Sequence, residues 1–122
     1  MRISDELRDR TKVFASRTVR LFVALPRERE EVRVLASQML RSGTAVAAHT
    51  REASRSRSDA EFCSKLDCLL QEADETQLWI ELLQEDCGLE DPALPEIHAE
   101  GSELLAIFTT IVSKVRRNIR ER

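Results

Sequence analysis

Phe62-Cys63-Ser64-Lys65-Leu66-Asp67-Cys68-Leu69-Leu70-Gln71-Glu72-Ala73-Asp74-Glu75-Thr76-Gln77-Leu78-Trp79-Ile80-Glu81-Leu82-Leu83 decides the fold. Phe62, Leu66, Leu69, Ala73, Thr76, Ile80, Leu83 and then Cys87 follow one another in steps of three and four. That spacing is one stripe of an α-helix turned toward helical partners. Ser58-Asp59-Ala60-Glu61, just before it, has the form of a capping box. The Ser58 oxygen can accept from the Glu61 amide while the glutamate reaches back. Gly88 is the expected residue past the helix end. The spacing predicts a helix over 59–87.

Working outward, the preceding segment carries Val32, Leu35, Ala36, Met39, Val46 and Thr50 in register and predicts a helix from about 28 to 53. Gly43 sits inside it, where glycine costs about 1 kcal/mol relative to alanine, so close helix approach or a kink is expected. Before that, Leu7, Phe14, Thr18, Leu21 and Leu25 predict a helix over 5–25, with Ser4 as N-cap and Pro26 as terminator. Asp91-Pro92 and Pro95 mark a loop. A last helix over 96–118 turns Ile97, Leu104, Phe108, Ile111 and Val115 inward, flanked by Leu105, Val112 and Ile119. Short connections make neighbours antiparallel. The expected fold class is all-α: one antiparallel up-down-up-down four-helix bundle spanning residues 1–122.

Composition agrees. Three Gly, three Pro, one Trp and no Tyr among 122 residues favour helix over sheet. A chain this long can bury about two-thirds of its unfolded surface and needs no staple. Three cysteines, Cys63, Cys68 and Cys87, make no complete disulfide set, so reduced thiols and a cytoplasmic location are expected. Met1–Glu6 has no apolar run of signal-peptide length, and no stretch reaches the ~20 apolar residues of a membrane span. No membrane partner is therefore expected.

The chemistry of catalysis is absent from the pattern. There is no glycine-rich phosphate loop, no H-E-x-x-H and no Gly-x-Ser-x-Gly. His49 and His98 lie on different elements, and each reads as a surface or packing residue. Glu72, Asp74 and Glu75 cluster, but the Glu-x-x-His of di-iron bundles is missing, so they read as ion-pairing residues. No enzyme activity, cofactor or metal is expected.

Two outward features remain. Leu78 and Leu82 fall nearly opposite the stripe of their helix, and Val19 and Val23 lie well round from theirs. Paired i, i+4 apolar residues on two helices are expected to form an oligomer interface. The second feature is charge. The net charge is −3, yet residues 1–60 hold thirteen Lys and Arg against eight Asp and Glu, and residues 61–122 hold six against fourteen. Arg41, Arg51, Arg55 and Arg57 cluster on and beyond the outer half of the second helix, and Arg116, Arg117, Arg120 and Arg122 follow at the end of the fourth. The first four are the expected contacts to RNA or single-stranded DNA, acting through phosphates without base readout.

Leu25-Pro26, Leu40-Arg41-Ser42-Gly43-Thr44 with Val46, Arg51-Glu52-Ala53, Ser58, Glu61-Phe62, Lys65, Glu72-Ala73-Asp74-Glu75-Thr76, Trp79 and Leu82-Leu83 together resemble the 23S rRNA intervening-sequence protein family, also called four-helix bundle proteins. The resemblance runs through nearly the whole chain. It implies a bacterial antiparallel bundle that assembles into a ring, commonly a pentamer, with a largely undefined biochemical role and no catalytic residues. A related branch, the accessory proteins of diversity-generating retroelements, works with a reverse transcriptase and binds nucleic acid through a basic surface. This chain departs from that branch in its net acidity, and carries His49 where the family pattern has Asn.

Overall fold

The computed structural model describes residues 3–122; Met1 and Arg2 lie outside the described residues. Four helices follow in order: α1 (Asp5–Ala24), α2 (Glu30–Ser54), α3 (Asp59–Glu85) and α4 (Ala93–Arg120). Each packs on its neighbours in sequence, and α1 closes the ring against α4. Cross-helix partners run in opposite directions: Arg10 and Arg17 of α1 meet Glu100 and Glu96 of α4, and Arg41 and Glu52 of α2 meet Glu72 and Lys65 of α3. This is the antiparallel up-down-up-down bundle.

The helix starts follow local chemistry. Ser4 Oγ accepts from the Leu7 amide at 3.1 Å, and Ser58 Oγ from the Glu61 amide at 3.1 Å. Glu61 faces Arg57 at 3.8 Å, so the serine half of the expected box is the half seen as a cap. α3 ends at Glu85, two residues before the expected position, and the left-handed turn is made by Gly88 at φ +71°. The Leu89 amide then donates to the Leu83 carbonyl at 3.1 Å.

Two starts differ from the sequence expectation. α2 begins at Glu30 rather than near 28, after an extended Arg29. α4 begins at Ala93 rather than 96, so Pro95 lies in its first turn. Proline lacks only an amide that would have no helical acceptor there, and the Asp91 carboxylate takes the Ala93 amide at 2.9 Å. α4 also runs on to Arg120 rather than 118.

The stripes form the core. Phe14, Leu21, Val32, Met39, Val46, Phe62, Leu66, Leu69, Ile80, Leu83, Ile97, Leu104 and Phe108 are all buried. On α4 the inward residue is Val112, with Ile111 half-buried, the reverse of the expectation. Leu7 and Leu35 are half-buried and pack on the core edge.

Halfway along the bundle the interior turns polar and small. Thr18 of α1 lies against Gly43 of α2. Ser42 and Thr76 share a buried hydrogen bond of 2.7 Å between α2 and α3. Gln77 of α3 donates to the His98 carbonyl at 2.7 Å and to Ser102 Oγ at 2.9 Å on α4. Its Oε1 lies over Gly101, where an added Cβ would come within 2.4 Å. These residues form one transverse layer through all four helices. Polar residues in such layers reward one helix register over its neighbours.

Candidate functional site

The basic residues divide into two groups. Arg41 stands 3.7 Å from Glu72 and 3.9 Å from Glu75 across the α2–α3 groove. Burial and the adjacent Glu75 push the Glu72 carboxyl up, against the pull of Arg41. Arg57 faces Glu61, and at the other end of the chain Arg116 is held by both oxygens of Asp67 while Arg122 pairs with Asp59. The expected four-arginine surface is thus split, with Arg41 and Arg57 engaged by carboxylates.

Arg51 and Arg55 behave differently. Arg51 lies in the last turn of α2 and Arg55 is the residue just past its end, and the antiparallel pairing sets them opposite Arg8 and Lys12, one turn apart on α1. Arg8, Asp9, Lys12, Arg51, Ser54 and Arg55 line a cleft of about 320 Å³. Arg8 is hydrogen-bonded to Asp5 at 3.0 Å. Lys12, Arg51 and Arg55 ion-pair with no described residue. Ser54 spends its hydroxyl proton on the Thr50 carbonyl at 2.9 Å, so the donors facing the cleft are cationic. Four cations surround one carboxylate, Asp9. Arg8 and Lys12 were missed by reading the sequence; their i, i+4 spacing was the available signal.

The outer apolar residues are placed as follows. Val19 and Val23 on α1 are 42% and 68% exposed, and Leu78 on α3 is 45% exposed. Leu82 is half-buried. Val13 and Val34 are exposed as well. Arg20 and Arg27 stand near Val23 in the chain, with Arg27 stacked 4.5 Å over the Phe22 ring. Leu78 lies among Asp74, Glu75 and Glu81, one turn or less away.

The histidines are tied into surface pairs. His49 Nδ1 lies 2.7 Å from Glu52, which this contact holds below its ordinary range, and His98 Nε2 lies 2.9 Å from Glu81. Cys63 and Cys87 are buried free thiols, and Cys68 is an exposed one. Among the described residues no group of three or more His, Cys, Asp or Glu is placed to hold a metal ion. Among the described residues no helix is long and apolar enough to cross a membrane.

The model of the family described as 23S rRNA-intervening sequence protein matches residues 6–110. A crystal structure of a protein of unknown function from the S23 ribosomal protein family of Bacteroides thetaiotaomicron is similar, with 35% identity and a TM-score of 0.78. The similarity covers 86% of this chain and 96% of that one. No protein of curated function matches the sequence.

Proposed function

The chain belongs to the 23S rRNA-intervening sequence protein family, and from that premise we propose a non-enzymatic homo-oligomeric scaffold that presents a surface to a partner. The assembly is a ring, of five copies as the family resemblance implies. The carrying observation is the exposure of Val19, Val23 and Leu78 in a chain whose stripes are otherwise inside. α1 and α3 are diagonal in the bundle, so their outer faces point in opposite directions. A contact joining the α1 face of one copy to the α3 face of the next is head-to-tail, which closes into a ring where each copy is turned from the last by the ring's rotation and otherwise runs on as a filament. Charge supports this pairing: Arg20 and Arg27 accompany Val23, whereas Asp74, Glu75 and Glu81 accompany Leu78.

Light scattering at tens of micromolar, roughly the moderate-affinity range, tests the reading. The unmutated chain is expected to run as an oligomer. Val23→Glu with Leu78→Glu is expected to run as a monomer with an unchanged helical spectrum, because the new carboxylates would be desolvated at the contact. Both positions are exposed, which makes them cleaner probes than half-buried Leu82. A monomeric unmutated protein would overturn the proposal.

A second reading, an accessory protein that binds RNA or single-stranded DNA and acts with a reverse transcriptase, is favoured by one observation, the uncompensated cations Arg51 and Arg55. Its signature is affinity that falls steeply with salt and that Arg51→Ala with Arg55→Ala abolishes.

A further inference from the structure

We propose that the cleft between the start of α1 and the end of α2 is a binding site for a compact, multiply charged phosphate group, such as a terminal phosphate monoester or a short polyphosphate. Arg8, Lys12, Arg51 and Arg55 converge on it from two helices, and Asp9 is the one carboxylate in its lining. Like charges one turn apart on a helix are unfavourable, as Arg8 and Lys12 are, and here Arg51 and Arg55 at the end of α2 face that pair. In three other clefts a cation has a partner within the chain: Arg17 has Glu96 at 3.4 Å, His98 has Glu81, and Arg116 has Asp67. Here Arg8 has Asp5, whereas Lys12, Arg51 and Arg55 have only Asp9 beside them in the lining, which leaves positive charge for an outside group to balance.

The chemistry of the lining selects the ligand class. Three guanidinium forks and one ammonium match the oxygens of phosphate, the arginines by paired N–H donors. A monocarboxylate carries too little charge to answer the positive charge left in about 320 Å³ once Asp9 and the Asp5 partner of Arg8 are counted. No aromatic or large apolar side chain lines the cleft, so nothing stacks a base or receives an acyl chain. A nucleic-acid backbone requires a track of free cations. None continues along α2 or just past its end, since Arg41 faces Glu72 and Glu75, and Arg57 faces Glu61. The site therefore reads a concentrated charge rather than an extended strand.

The experiment is calorimetric titration of the full chain with sodium tripolyphosphate at about 50 mM and about 150 mM salt. Saturable binding that weakens with salt is expected. Arg51→Gln with Arg55→Gln is expected to lower affinity about tenfold or more while leaving the helical spectrum of the free protein unchanged. Arg29→Gln with Arg33→Gln, two exposed arginines at the start of α2 and so at the opposite end of the bundle, is the control and is expected to bind as the unmutated protein does.

A second arm titrates one short oligonucleotide with a 5′-phosphate or a 5′-hydroxyl. Tighter binding of the phosphorylated form identifies a terminal phosphate as the source. Binding of tripolyphosphate alone identifies a free oligophosphate. Equal binding of both oligonucleotides, rising with their length, would make the surface a backbone track and overturn the proposal. No saturable binding at low salt, or equal losses in both double variants, would overturn it too.

Discussion

Thr18 occupies the space that a side chain at residue 43 would need. A Cβ on Gly43 would lie 2.7 Å from Thr18 Cγ2 and 2.9 Å from its Oγ1. Thr18 has little room to yield. It is fully buried, β-branched, and its hydroxyl donates to the Phe14 carbonyl at 2.8 Å.

Gly43→Ala is therefore expected to destabilise the bundle. Overpacking costs about 1–3 kcal/mol, enough to outweigh the ~1 kcal/mol that alanine gains in a helix. Thr18→Ala in the same chain is expected to recover part of the loss, giving a coupling that chemical denaturation of the four members of the cycle can measure. A Gly43→Ala protein more stable than the parent would show that α1 and α2 do not touch as described.

The Arg10–Glu100 pair sets a pH dependence. Arg10 Nε and Nη2 donate to the two Glu100 oxygens at 2.7 and 2.8 Å, and Nη2 also reaches Glu103 at 2.6 Å. Arg10 holds the Glu100 carboxyl below its ordinary 4.5. A carboxylate depressed in the folded state contributes stability that is present above its ordinary value and is lost as pH falls through the depressed one. Glu100→Gln is expected to cost about 1 kcal/mol at neutral pH, a figure discounted for the solvent that reaches Arg10. The gap between variant and parent should close in acid. Denaturation midpoints from neutral to acidic pH check this, and a gap that widens in acid would refute it.

Ser58→Ala removes the side-chain acceptor of the Glu61 amide. A loss of about 1 kcal/mol is expected. Because the Phe62 amide keeps its bond to the Ser58 carbonyl, amide exchange should accelerate at Glu61 more than at Phe62. Uniform acceleration along α3 would contradict a local cap.

The bundle was legible because its stripes are long and periodic, and because Ser4, Ser58, Pro26 and Gly88 mark boundaries by known local chemistry. The start of α4 was less so: Pro95 reads as a terminator, and only the Asp91 cap shows that it belongs to a first turn. Gln77 and Gly101 escaped because periodicity counts apolar residues, while their fit depends on each other. The basic cleft was half legible. Arg51 and Arg55 lie close together in sequence at the end of α2 and stood out together, whereas Arg8 and Lys12 join them only through the alignment of α1 against α2. For the same reason the engagement of Arg41 by Glu72 and Glu75 is a property of the packed pair of helices.

The transverse layer of Thr18, Ser42, Gly43, Thr76, Gln77 and Gly101 divides the interior into unlike compartments. The buried phenylalanines Phe14, Phe62 and Phe108 all lie on one side of it, whereas Leu21, Leu25, Val32, Ile80, Leu83 and Leu94 are buried on the other, where the aromatic rings of Phe22 and Trp79 pack only at the core edge. Each compartment is closed inward by tightly apposed, hydrogen-bonded side chains. Water that enters as helix ends fray meets that barrier before it reaches the opposite half. Local openings then stop at mid-height, and the molecule can breathe at either end as a separate cooperative unit while its middle holds the four helices in register.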